Sequence, residues 1–240
     1  MDTIHLQNKG KTLMVAHRGC SGLEKENTMP AFVAAGNRSY YGIETDVHKT
    51  ADGKYICFHD DTTKRVAIDD MVVEETSYDT LRALPLTDKE GKRGRIDLRM
   101  PSLEEYINVC KYYDKYAVLE LKNAFEEEDI YEICAIIDGL GFLEKTIFIS
   151  FSYENLVYLR KKYPTQAAQF LISTFPDDLI ERCKAINVDL DIYRKALDKE
   201  KIALCHENGI AVNSWTVDDP AAAEDLISWG IDYLTSNILE

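Results

Sequence analysis

The 240-residue sequence has no stretch approaching the ~18 consecutive apolar residues of a membrane-spanning helix. Its N-terminus, MDTIHLQNKGKTLMVAH, lacks a basic start followed by an apolar core, so no secretory leader is read and the expected location is the cytoplasm. Positive charge is scarce: 28 Lys and Arg stand against 42 Asp and Glu, for a net charge of −14. That excludes nucleic acid as a main partner, because a phosphate backbone needs a stripe of Lys and Arg. It also disfavours stable association with anionic membranes. The cysteines (Cys20, Cys57, Cys110, Cys134, Cys183, Cys205) form no C-x-x-C pair, so neither a redox pair nor a zinc site is expected. They are expected to be reduced, mostly buried thiols. There is no G-x-x-x-x-G-K-[ST] loop, no G-x-G-x-x-G after a strand and no G-x-S-x-G elbow, which leaves triphosphate, dinucleotide and serine-hydrolase readings without support. Linkers, low-complexity tracts and internal repeats are also lacking, and nothing sets the oligomeric state.

What is present is core material in alternating patterns. Hydrophobic residues make up 45% of the chain and charged residues 29%, enough for a sizeable core in one domain spanning 1–240. Short β-branched or aromatic runs occur at 12–17, 42–48, 116–121, 146–151, 167–172, 187–191, 210–215 and 231–235. Between them lie helix signals. Pro30 opens 29–38, and Ser102 with Glu105 makes a capping box for 103–113. Ser152 caps 153–162, and Asp218 with Pro220 starts a helix that Gly230 ends. Strand–helix alternation implies an α/β fold with parallel pairing, and eight strands suit a closed (β/α)8 TIM barrel. A doubly wound open sheet is the alternative. Residues 49–60 read as a hairpin turning at Asp52-Gly53, which brings Asp46 opposite about His59. Residues 61–100 read as a small polar insertion after the second strand, with one short helical piece near 78–84.

In such barrels chemistry collects at the C-terminal ends of the strands. His17 and Arg18 end the first strand, Glu44 and Asp46 lie on the second, Glu120 and Lys122 end the third, and His59 returns through the hairpin. Glu44 and Asp46 are two apart, so they share one strand face. With Glu120 they make an all-oxygen set that suits a hard divalent cation, Mg²⁺ or Ca²⁺, over zinc. Singly, each of these acids reads better as a rim salt bridge to Arg18 or Lys122; the whole pattern turns the reading to a metal. Two histidines flanking such a site can serve as base and acid across one P–O bond. The Arg18 fork and the Lys122 point charge would neutralise a phosphodiester. His5, His48 and His206 read as packed structural histidines, and Cys20 as a bystander. Trp215, with Phe151 and Tyr193, reads either as a wall or lid for substrate or as packed rim aromatics.

The runs AHRG (16–19), ENT (26–28), IETDVHKTADG (43–53), FHDDTTKRV (58–66), PSLEE (101–105), LELK (119–122), ISF (149–151) and WTVDD (215–219) span most of the chain. In this order they resemble the glycerophosphodiester phosphodiesterase family. The resemblance implies an α/β barrel with an insertion after the second strand, and hydrolysis of deacylated phospholipids to glycerol 3-phosphate and an alcohol. It implies His17 and His59 as the catalytic pair, and Glu44, Asp46 and Glu120 as ligands of a divalent cation. Arg18 and Lys122 would hold phosphate, Asn27 would order the site, and Trp215 would stand at the mouth. The partner would be a small-molecule glycerophosphodiester. The sequence departs from the family at Lys25, where a proline usually precedes ENT, and at Thr235-Ser236, where T-D or T-N is usual. The last covering helix is expected to be very short or absent. Two other functions compete: head-group release from lysophospholipids or sphingolipids, which needs an apolar groove beside the mouth, and a non-catalytic phosphate-binding module, which should lack a histidine or a metal carboxylate.

Overall fold

The computed structural model describes residues 2–240. β1 (Leu13–Ala16) leads through α1 (Met29–Gly36) to β2 (Gly42–Lys49), which turns back on the short β3 (Tyr55–Cys57). After α2 (Tyr78–Ala83) and α3 (Leu103–Tyr112) the chain alternates regularly. It runs through β4 (Tyr116–Leu121), α4 (Glu127–Gly139), β5 (Thr146–Ser150), α5 (Tyr153–Lys162), β6 (Ala168–Ile172) and α6 (Leu179–Ala185). It then passes through β7 (Asp189–Tyr193), α7 (Lys199–Glu207), β8 (Val212–Trp215), α8 (Pro220–Ser228) and β9 (Tyr233–Ser236). Eight parallel strands follow the order β1-β9-β8-β7-β6-β5-β4-β2, and pairing of β1 with β2 closes the ring. The fold is a (β/α)8 TIM barrel, and that closure excludes the open sheet.

Period-two alternation sorts the strand residues into two cores. On β4, Ala117, Leu119 and Leu121 join the large cluster under the helices, while Val118 joins a smaller cluster with Val15, Ile147, Ile149 and Leu171. Tyr41, Tyr116 and Tyr233 pack against that smaller cluster, with Tyr41 stacked on Tyr116 at 4.3 Å. Residues with the parity of Val118 therefore face the lumen, and Glu120 is the next of them.

The capping box forms, with Ser102 accepting from the Glu105 backbone and Glu105 from that of Ser102. The α8 cap differs from expectation. Asp219, not Asp218, accepts from the Ala221 backbone N–H, which frees Asp218 for the site described below. The β2–β3 register is also one residue off. Thr50 closes the turn by bonding Lys54, and Val47 pairs with Cys57, so Asp46 meets Phe58 rather than His59. Residues 58–100 fold over their own small core of Phe58, Val66, Val73, Leu81, Leu84, Leu86, Leu98 and Met100. No helix follows β9 among the described residues; Leu239 instead bridges to Ile4. All six cysteines are buried and free.

Candidate active site

Asp46 sits directly beside Glu120 in the β2–β4 register, and Glu44 lies one inward position below on the same strand. One carboxylate oxygen from each of the three lies within 4.8 Å of the others, and all three residues are buried. Repulsion on this scale shows in their ionisation. Burial and then the Asp46 charge push Glu44 well up and Glu120 up to about 8. Asp46 goes the other way: burial raises it, but Arg18 and Lys122 outweigh burial and hold it below the usual carboxylate range. Its Oδ1 is shielded from solvent and makes no hydrogen bond, the nearest cation being the Lys122 Nζ at 3.5 Å. An orphaned buried oxygen amid three crowded carboxyls is what a hard divalent cation would satisfy, so the donor set fits Mg²⁺ or Ca²⁺.

Lys122 places its Nζ 2.9 Å from Glu120 and 3.5 Å from Asp46. Arg18 lies in a tight turn at φ +54°, with its backbone N–H donating to Glu44 at 2.7 Å and its Nη1 to Glu26 at 2.8 Å. The turn needs Gly19, because φ is +74° and a Cβ there would stand 2.7 Å from the Ala31 backbone. Asn27, also left-handed at φ +50°, donates from Nδ2 to Asp46 at 2.7 Å and accepts from Thr45 at 2.7 Å. Its amide thus tethers a carboxylate. Lys25 leaves this loop ordered: its carbonyl accepts from Thr28, and the Asn27 N–H donates to the Arg18 carbonyl.

His17 follows β1, and its Nδ1 lies 2.8 Å from the Asn237 Oδ1. The amide orientation is dictated by Asp218, whose carboxylate accepts from both the Asn237 backbone N–H and Nδ2. Oδ1 must then accept, so His17 carries its proton on Nδ1 and leaves Nε2 with a lone pair. Burial, reinforced by Arg18, lowers the His17 pKa to about 4, so the ring is neutral near pH 7. His59 is fixed in the same way, with Nδ1 2.5 Å from Asp60. Burial lowers its pKa too, against the pull of the Asp46 and Asp60 carboxylates. Arg65 clasps Asp60 at 2.6 Å and Glu26 at 2.7 Å, and Glu26 holds Arg18. One ion chain thereby links the loop after β1 to the segment after β3.

A cavity at the C-terminal end of the barrel is lined by His17, Arg18, Glu44, His59, Glu120, Ile149, Phe151, Leu171, Asp191, Trp215 and Thr235. Asp46, Asn27 and Lys122 are not among the lining residues, but Asp46 joins them through its contacts with Glu44 and Glu120, and Lys122 through its 2.9 Å contact with Glu120. Phe151 is half exposed and meets Trp215 edge-on at 5.6 Å; Tyr193 leans on Trp215 at 5.5 Å. A larger cavity of about 210 Å³ around Arg160 carries less chemistry, since that guanidinium is spent on the carbonyls of Ile186, Tyr163, Gln166 and Asn187. His48 is fully buried, with Nδ1 3.0 Å from Glu74 and Nε2 3.4 Å from the His59 carbonyl. His5 and His206 are not packed residues but exposed partners of Glu240 and Asp232. The sequence reading passed over Asn237, Asp60, Glu26, Arg65 and Asp191. Three of them lie inside runs that carry the resemblance, Glu26 in ENT and Asp60 and Arg65 in FHDDTTKRV; Asn237 and Asp191 carried no signal.

A closed barrel that gathers an acidic oxygen cage, an arginine and two unencumbered imidazole nitrogens at its C-terminal mouth has the make-up of a phosphoric-ester hydrolase. The chain belongs to the glycerophosphoryl diester phosphodiesterase family, whose profile matches residues 17–239. It is 28% identical to a glycerophosphodiester phosphodiesterase of Caldanaerobacter subterraneus subsp. tengcongensis over 231 residues, 92% of each chain. It is 25% identical to one from Bacillus subtilis, covering 97% of this chain and 86% of that one. Among solved structures, a phosphodiesterase of Oleispira antarctica in complex with the product sn-glycerol-3-phosphate superposes with a TM-score of 0.87 at 28% identity, covering 94% of this chain and 92% of that one.

Proposed function

We propose that the protein hydrolyses glycerophosphodiesters to glycerol 3-phosphate and an alcohol, with a divalent cation at Glu44, Asp46 and Glu120. The observation that carries this reading is that His17 and His59, each with an unengaged Nε2, line one cavity with Arg18, Glu44 and Glu120, whose carboxylates group with that of Asp46. The cation, when bound, would supply positive charge against the phosphate oxygens as negative charge builds on them. Arg18 and Lys122 add to that charge and hold the diester in place. His17, neutral near pH 7, takes the proton from the nucleophile through Nε2. The nucleophile's oxygen bonds to phosphorus, the P–O bond to the alcohol breaks, and His59, in its imidazolium form, gives its Nε2 proton to the departing alkoxide; the proton taken by His17 then passes to solvent, and His59 regains one from it. Asn237 fixes the tautomer that leaves the His17 Nε2 free to accept, and Asp60 holds the Nδ1–H of His59 and favours its imidazolium form. Water or the neighbouring glycerol hydroxyl can play nucleophile; the hydroxyl would release a cyclic phosphate first.

The insertion favours a soluble diester over a lysolipid. Val73, Leu81 and Leu84 are buried in its own core rather than offered to the mouth. No helix among the described residues is long and apolar enough to cross a membrane. The test is hydrolysis of glycerophosphocholine and a lysophosphatidylcholine side by side, in EDTA and after adding Mg²⁺ or Ca²⁺. Metal-restored release of glycerol 3-phosphate from the first alone is expected, and the ion that restores it is thereby chosen. Turnover of the lysolipid alone transfers the reading to head-group release, and turnover of neither in any condition ends the hydrolase reading.

A further inference from the structure

Asp191 is a cavity group to which the acid–base scheme gives no task. It lies on β7 facing the lumen, is 1% exposed, and its Oδ1 is shielded without a hydrogen-bond partner. Its flanking strands offer no relief. Leu171, paired with it on β6, is apolar. Asn213, paired with it on β8, spends its Nδ2 on Gln169 at 3.2 Å and its Oδ1 on Thr235 at 3.1 Å. A buried polar group left unpaired is destabilising, and such groups mark places where something else supplies the partner. Here the open side is the cavity, between Ile149, Leu171 and Trp215.

We propose that Asp191 is the specificity-determining residue that recognises the glycerol limb of the substrate by hydrogen-bonding one of its hydroxyls. This rests on the diester-hydrolase reading and adds to it the group that tells glycerol from other alcohols. A hydroxyl matches the site because it brings a donor and an acceptor together. An ammonium head group matches less well. Burial and then the Glu120 charge keep the Asp191 carboxyl well above its usual range, so it has little negative charge to offer a cation. Ile149, Leu171 and Trp215 give the cavity an apolar wall near it, which suits the carbon chain of a polyol lying beneath the Phe151–Trp215 pair. The glycerol would then lie along β5–β8, with the phosphate toward β1, β2 and β4.

The experiment compares two ligands that differ only in hydroxyls, glycerol 3-phosphate and propyl phosphate. Both are titrated calorimetrically into the protein with Mg²⁺ or Ca²⁺ present. Asp191→Leu removes the polar group, and Asp191→Asn keeps a donor and an acceptor. With Asp191→Leu, the affinity for glycerol 3-phosphate is expected to fall about 10-fold or more, the weight of one to two hydrogen bonds. Propyl phosphate should stay within about threefold, and Asp191→Asn should hold glycerol 3-phosphate closer to the wild-type affinity. Equal losses for both ligands in Asp191→Leu, or no loss for glycerol 3-phosphate, would overturn the assignment. If the Leu variant does not fold, Asp191→Ala carries the same comparison with the same two outcomes. Failure of both ligands to bind the wild-type protein would instead overturn the phosphate reading beneath it.

Discussion

Metal-free protein should lose stability as the pH rises from 6.5 to 8, and Glu120 contributes a separable part of that fall. Its carboxyl is 7% exposed, and burial beside Asp46 raises its pKa from 4.5 to about 8. Across that window the folded state keeps a proton that the unfolded chain has already released. The unfolded state then binds fewer protons, so stability falls with pH. At about 1.36 kcal/mol per pH unit, 1.5 units give a ceiling of roughly 2 kcal/mol. Water in the open cavity screens the group, and about half the ceiling, ~1 kcal/mol, is expected. For a chain of this size that is a fall in Tm of about 2–4 °C. His17 has the opposite sign: with its pKa lowered from 6.5 to about 4, its contribution rises with pH between those values and is complete by 6.5, which is why the window starts there. The assay is differential scanning calorimetry in EDTA at both pH values, on wild-type protein and Glu120→Gln. The wild-type fall should exceed that of the variant by the stated amount. Saturating Mg²⁺ or Ca²⁺ should abolish the excess, because a bound cation favours the ionised carboxylate in the folded state. Equal falls in wild type and variant would refute the reasoning.

Four further outcomes are expected. His17→Ala and His59→Ala should each cost on the order of 10²–10⁴ in turnover while near-UV circular dichroism stays native. Asn237→Ala should lower kcat about 10-fold with KM nearly unchanged, because it frees the His17 ring without touching the phosphate groups; a KM effect alone would contradict that role. Glu44→Ala should abolish calorimetric binding of the divalent cation, and unchanged affinity would remove Glu44 from the ligand set. Gly19→Ala should destabilise the fold by about 2–4 kcal/mol in urea titrations, since it adds left-handed strain to a backbone clash.

The barrel was legible because its determinants are local. Each strand run carries β-branched residues bounded by a cap or turn, and the two-residue spacing of Glu44 and Asp46 fixes their shared face whatever surrounds them. The acidic trio, Arg18 and both histidines could be read for the same reason: strand parity and the barrel's polarity aim them at one mouth. What escaped depends on register or on distant partners. The Asp46–Phe58 pairing hangs on whether Thr50 or a neighbour closes the turn, a difference of one residue that periodicity does not resolve. Asp218 and Asp219 are equivalent as N-cap candidates by type. Only the position of Asn237, at the end of β9, decides that the first reaches across to the site and the second caps α8. Asp191 has an unremarkable strand context in sequence, and its isolation appears only once Leu171 and Asn213 are seen on either side of it.

His17 stands near the start of the chain, yet its tautomer is set by residues 218 and 237. The free lone pair of the His17 Nε2 is therefore fixed only after the last strand has been laid against the first. During synthesis, β2 and β4 are complete when about half of the chain has been made, but the surroundings of His17 wait for ring closure. Under the proposed mechanism, a growing or prematurely terminated polypeptide would hold the acidic trio without the nitrogen that takes the proton. Completion of the barrel thus acts as the enzyme's own starting signal, built into the order in which its residues leave the ribosome.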